Sequence, residues 1–351
     1  MDKMDLMEIR KALCRKYPTT DWVYGFYVTQ DGQVAWTGFD RYAEIQEDAW
    51  PRICEVLKRS LAGTLGRELL QVSLLERPGM LSRILALDAY DDRLMPQFSQ
   101  AVARAYASKT PYYAFLTRVT YDVPSRASDG ARLEDGDNVY RGLVFSICPA
   151  GLSKPALGYT DTDGVAELSR RWTIGTPVEG FLYPAFSSRA QDPDAVLYRA
   201  RKSVSAKLFS TLFGDAAPPV PADTQKDAFA GFMDDMHVSF EAASCVQEEL
   251  AALVQENVQE LDRDGTRALV ERSGIGTDGF DEAYDKAVGD VPLTVSALVE
   301  NAVTVTTDNA MLRVPADQVQ LVRTEMLDGV LCLVLPVDGR VLVNGIPVSF
   351  T

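Results

Sequence analysis

A chain of 351 residues, 46% hydrophobic and 24% charged, is too long for one ordinary core and too apolar to be disordered, so it reads as a globular protein of two domains. Its formal charge of −15 is unevenly placed: residues 1–214 carry 27 basic and 26 acidic side chains, whereas residues 215–351 carry 8 and 24. The acidic half repels phosphate and the balanced half has no concentrated basic patch, which argues against a nucleic-acid role; solubility is favoured over an acidic docking surface as the meaning of the acidity.

The start, MDKMDLMEIRKALCRKY, has early acids and no apolar signal-peptide core, and no run approaches the ~20 apolar residues of a membrane span. Cys14, Cys54, Cys148, Cys245 and Cys332 are far apart, mostly sit in apolar runs and form no CxxC pair. They read as reduced core residues rather than disulfides or zinc ligands. The expectation is a soluble cytoplasmic protein.

In chain order, Leu6, Met7, Ile9, Leu13 and Cys14 suit an amphipathic helix over 4–16. DWVYGFYVTQ and QVAWTGFD flank Asp31-Gly32, a hairpin signal, because Asp-Gly readily takes the positive φ of a tight turn. Trp50, Ile53, Cys54, Leu57 and Leu61 mark one face of a second helix, with Pro51 tolerable in its first turn. Residues 69–75 predict a strand, and 79–89 and 93–108 predict helices. Alternation over Tyr113, Phe115, Thr117, Val119 and Tyr121, and the apolar run Leu143–Cys148, predict two adjacent strands; a third carries Arg189 and Asp192. A helix around Leu208, Leu212 and Phe213 closes the first domain, 1–214.

DAAPPVPADTQ, residues 215–225, has three prolines and no periodicity, and reads as a linker. Beyond it, in an acidic domain over 226–351, Val246, Leu250, Leu253, Val254, Val258 and Leu261 mark a long helix, with shorter ones over 266–273 and 278–288. Asp328-Gly329, Asp338-Gly339 and Asn344-Gly345 separate apolar runs and predict a β-meander. Helices and strands in blocks favour an α+β fold: a mixed, largely antiparallel sheet with packed helices, then a helical segment and a small C-terminal sheet.

DVPSRASDG, SICPAGLSKPALGY, RRWTIGTPVEGFLYPAFSSR and VRTEMLDGVLCLVLPVDGRVLVNGIPV follow one another in a pattern that resembles the bacterial domain-of-unknown-function family 4317 over nearly the whole chain. The resemblance implies homology; it brings no activity, substrate or cofactor.

The chemical signals are few. Gly274, Gly276 and Gly279 match GxGxxG, but a helical pattern rather than a strand precedes them, so they read as helix ends instead of a dinucleotide site. No phosphate-cradling GxxxxGK[ST] occurs. Glu260, Asp262, Asp264, Gly265 and Glu271 have the spacing of a calcium loop, yet position 1 is Glu and no second loop pairs with it; a helix cap is the simpler reading. Asp161 and Asp163 read as a plain turn. The lone His237 lies at the end of an acidic helical stretch without a nucleophile elbow nearby, and reads as a surface residue.

Asp122, Asp129, Lys154, Arg189 and Asp192 fall in loops at strand ends. Were these loops to converge, the carboxylates could hold Mg²⁺ while Lys154 and Arg189 neutralise a phosphate, the layout of a metal-dependent hydrolase. Local turns and surface pairs need less, and the aromatics Tyr159, Trp172, Phe181, Tyr183 and Phe186 then read as core. The favoured expectation is a non-catalytic interaction or regulatory protein without a cofactor, binding a protein partner or small ligand but no nucleic acid or membrane. A hydrolase acting on a phosphate-containing substrate is the alternative.

Overall fold

The computed structural model describes residues 1–13, 20–47, 49–124, 138–160, 164–200, 203–300, 302–336, 341–343 and 346–348. The chain divides into two compact units, Met1–Pro221 and Ala222–Thr351, and it is α+β.

In the first unit the elements run α1 (Lys3–Ala12), β1 (Thr20–Val28), β2 (Val34–Arg41), α2 (Trp50–Ser60), β3 (Leu69–Ser73), α3 (Gly79–Leu85), α4 (Leu94–Ala105), β4 (Tyr112–Val123) and β5 (Asn138–Leu152). There follow β6 (Ala156–Thr160), β7 (Gly164–Ser169), β8 (Trp172–Ile174), β9 (Glu179–Tyr183), β10 (Ala185–Ser187), β11 (Ala190–Asp192), β12 (Ala195–Ala200) and α5 (Ala206–Phe213). One antiparallel sheet runs in the order β2-β1-β4-β5-β9-β12-β3, with β8 paired to the end of β5.

Both faces of this sheet are covered. Because successive strand residues point to opposite sides, Tyr24, Phe26, Leu116, Phe145, Phe181 and Tyr198 form one core with α3, α4 and α5. Val119, Tyr121, Tyr140, Val144, Leu182 and Leu197 form the other with α1 and Leu57 of α2. Full burial of a Leu or Phe side chain contributes ~1.5–3 kcal/mol, so these layers hold the unit together. Gly180 lets β9 lie close to β5: a Cβ there would run into the Phe145 backbone.

Local chemistry sets the element ends. Asp2 and Asp5 exchange backbone-to-carboxylate hydrogen bonds of 2.8 and 3.1 Å, a capping box that starts α1. Gly32, at φ 77°, completes the expected first hairpin, and Pro51 lies in the first turn of α2. The β5 strand is far longer than its apolar run, because β4 pairs with it along twelve positions regardless of polarity. Arg189 sits not on a third long strand but in a tight turn between β10 and β11, with Ser188 and Arg189 at φ 50° and 57°.

The second unit contains α6 (Ala222–Asp235), α7 (Phe240–Gln255), α8 (Arg263–Arg272), α9 (Phe280–Ala287) and α10 (Val295–Leu298). Three hairpins follow: β13 (Ala302–Thr306) with β14 (Met311–Pro315), β15 (Arg323–Leu327) with β16 (Val330–Val334), and β17 (Val341–Val343) with β18 (Ile346–Val348). The linker expected over 215–225 is shorter, since residues 222–225 are already the first turn of α6; the prolines end at Pro221 and Ala-Asp-Thr-Gln carries no helix breaker. Over the stretch of the expected meander the described residues form two separate two-stranded sheets, β15 with β16 and β17 with β18. Asp328 and Gly329, at φ 50° and 79°, make the anticipated turn; the other two Xaa-Gly turns, at 338–339 and 344–345, lie outside the described residues.

Candidate ligand-binding cleft

Of the sequence-derived constellation, Asp122 and Lys154 stand at opposite ends of β5, and Arg189 and Asp192 are held by partners of their own. Asp122 is an exposed β4 residue opposite Val139, near the start of β5. Lys154 is exposed just past the other end of β5; at ~3.3 Å per strand residue, that separates them by on the order of 40 Å along the strand. Arg189 is committed locally: its Nε donates to Glu8 Oε2 at 2.9 Å, one Nη to Glu8 Oε1 at 3.1 Å and to the Pro124 carbonyl. Its turn is held by the buried Asp5, whose carboxylate accepts from the Ser188 and Arg189 amides at 3.0 Å each. The Asp192 carboxylate accepts from the Asp194 amide at 3.2 Å, as a turn residue does. Asp129, Asp161 and Asp163 lie outside the described residues.

The calcium-loop spacing resolves into a helix start. Asp262 caps α8 by accepting from the Gly265 amide at 2.7 Å, and Glu260 forms a β-bridge with Thr294. Asp264 lies in the first turn of α8 and Glu271 near its end. Among the described residues no group of three or more His, Cys, Asp or Glu side chains is placed to hold a metal ion. Gly274 and Gly279, at φ 74° and 76°, separate α8 from α9, the helix-end role their pattern suggested. His237 is exposed in the turn between α6 and α7.

What the first unit does present is a cleft of about 980 Å³ between α2 and the β8 arm. Pairing of Ala150, Gly151 and Leu152 with Ile174, Thr173 and Trp172 holds the arm to the end of β5, and the Gly175 amide donates to the Pro149 carbonyl at 2.7 Å. The chain then enters β9, so the sheet ends in an overhang beside α2. Phe115 lines the cleft from β4, Ile53 and Val56 from α2, Ile174 and Trp172 from the arm. Trp172 is 60% exposed, an unusual state for the largest apolar side chain, and its ring meets Tyr27 edge-on at 6.3 Å.

From this cleft an aromatic track runs to the sheet edge, with Phe115 to Tyr113 at 4.6 Å and Tyr113 to Trp36 at 5.7 Å. Gly25 and Gly38 make it possible, since a Cβ at either would collide with the Tyr113 or Trp36 ring. Arg52, exposed on α2 and making no ion pair among the described residues, supplies a positive charge at the rim, whereas Arg59 pairs with Glu55 at 2.7 Å. Such an arrangement can hold a flat apolar group by stacking and an attached anion by the guanidinium.

Sequence reasoning missed this site by treating Trp172 as core. Phe181, Tyr183 and Phe186 are buried as expected, while Tyr159 lies among the side chains not described. The available signal was local: Trp172-Thr-Ile174 sits between Arg170-Arg171 and Gly175-Thr-Pro177, too short and too polar in its flanks for an inner strand.

On the other face of the sheet lies a polar pair outside the cleft. Glu179 is buried, accepts from Tyr198 Oη at 2.5 Å and from the Ser205 amide at 2.8 Å. Desolvation raises its carboxyl above the ordinary range, against the lowering effect of those two hydrogen bonds. Ser205 caps α5, so the pair anchors the helix that closes the unit.

The first unit is thus an antiparallel sheet with helices on both faces and an aromatic cleft at one end. The chain belongs to a domain-of-unknown-function family, DUF4317, whose model matches residues 1–346. No curated protein and no solved structure matches the chain. Among the described residues no helix is long and apolar enough to cross a membrane.

Proposed function

We propose that this is a non-catalytic bacterial protein of the cytoplasm that binds a ligand bearing a flat apolar group and a negative charge in the cleft between α2 and the β8 arm. The observation that carries the reading is the exposed Trp172, held over a cleft lined by Phe115 with the exposed Arg52 at its rim. Exposing so much aromatic surface forgoes burial free energy, and a concave site with a charged rim is where a ligand recovers it. The hydrolase alternative draws no support from the placement of Asp122, Lys154, Arg189 and Asp192.

The test is titration of the full chain with 8-anilinonaphthalene-1-sulfonate, a fused ring with one sulfonate. Saturable binding at one site per chain, weakened at least tenfold by Trp172→Ala and several-fold by Arg52→Ala at unchanged melting temperature, is the expected result. Binding that ignores both substitutions overturns the reading.

A further inference from the structure

The second unit carries a groove that shares no residue with the cleft. One wall is a single face of α6 and the turn after it: Lys226, Phe229, Ala230, Met233, Asp234 and His237, spaced by three and four residues. The other wall is a face of α7, where Ala243, Val246 and Gln247 line a part of ≈ 560 Å³. Ala243, Gln247 and Glu300 also line an adjoining part of ≈ 740 Å³ that continues past Phe240 to β13. The floor is apolar, with Phe229 and Val246 buried and Leu298 of α10 beside them.

Length and charge define the occupant. Residues 226–237 span roughly 16 Å at helical rise, about three turns, which matches a short helix laid in the groove rather than a small molecule. Between Asp223 and Glu249 the two wall helices and their turn hold seven carboxylates, with Lys226 as the only Lys or Arg. Phosphate-bearing surfaces and a second copy of this acidic unit are repelled by that field, whereas a cationic helix is drawn in. Met233, unbranched and adaptable, suits a floor that accommodates apolar side chains at i, i+3, i+4 and i+7.

We propose that the α6–α7 groove docks a cationic amphipathic helix of a partner protein. Its apolar stripe covers Phe229, Met233 and Val246, and its Lys and Arg side chains face Asp234 at the rim and the acidic surface around the groove. The docking stands on its own observations, whether or not the cleft of the first unit binds a ligand.

The probe is a fluorescein-labelled, 18-residue Leu/Lys amphipathic helical peptide, with a Leu/Glu peptide of the same pattern as control, titrated by anisotropy against the full chain. Saturable binding of the Leu/Lys peptide that weakens at least tenfold between 50 and 300 mM salt is expected, with none of the Leu/Glu peptide. Ala243→Trp, which fills the groove where its two parts meet, lowers affinity at least tenfold; Ala230→Arg, an exposed wall position, does the same should the first variant misfold by circular dichroism. No binding of the Leu/Lys peptide, equal binding of both peptides, or affinity unchanged in a folded variant overturns the proposal.

Discussion

In the first unit helices lie on both faces of an eight-strand sheet, and Trp22, Tyr24, Phe145, Phe181 and Tyr198 are all out of solvent. In the second, α6–α10 enclose their own core, while the β15–β16 hairpin leaves Met326, Val330 and Leu331 more than 60% exposed. Strand count explains the contrast. A wide sheet offers each covering helix several strands to pack on, but a two-strand ribbon has too few neighbours to bury either face. Two of the first unit's exposed large apolar groups, Trp172 and Ile174, share one cleft, whereas others such as Leu75 and Leu157 stand apart from it.

The contrast is open to breakage by mutation. Phe145→Ala removes a ring packed edge-on to Phe98 at 5.5 Å and should cost ~3–5 kcal/mol in urea denaturation, whereas Leu331→Ala should stay within about 0.5 kcal/mol. Comparable losses at the two positions would mean that the hairpin is covered after all. Gly180→Ala forces a Cβ onto the Phe145 backbone and should cost ~1–3 kcal/mol, read in the same denaturation series. Smaller still, Asp262→Ala deletes the cap of α8 and should cost ~1 kcal/mol, a loss that Asp262→Asn largely restores.

The smallest effect is the one with the clearest pH signature. Burial raises the Glu179 carboxyl, so the folded state holds its proton more tightly than the unfolded chain does. Its stabilising contribution is therefore full below the ordinary Glu range and declines as pH rises through the folded value. Glu179→Gln, which still accepts from Tyr198 and Ser205, should raise the melting temperature at pH 8 relative to wild type and leave it nearly unchanged at pH 4. A larger gain at pH 4 than at pH 8 would contradict the burial account.

Much of the framework was legible because it rests on local chemistry. Asp31-Gly32 and Asp328-Gly329 supply positive φ where hairpins need it, and Pro51 sits in the one turn of α2 that tolerates it. Periodicity located the core faces of α2 and α7 through Leu57, Val246 and Leu250. What the sequence concealed depends on partners distant along the chain. The full extent of β5 comes from pairing with β4, and Arg189 is consumed by Glu8, some 180 residues earlier, so no window around position 189 reveals it. The cleft was hidden for the same reason: Phe115, Arg52 and Trp172 meet only after β8 folds back on β5. Prolines misled by averaging, since three of them in eleven residues masked the helix that begins directly after Pro221.

The central claim is that the first unit binds through the α2–β8 cleft. Hydrogen–deuterium exchange of the full chain, with and without saturating 8-anilinonaphthalene-1-sulfonate, addresses it most directly. The account predicts slowed exchange over residues 49–59 and 172–177, lost in Trp172→Ala; protection confined to the exposed hairpins of the second unit, with 172–177 unchanged, would contradict it.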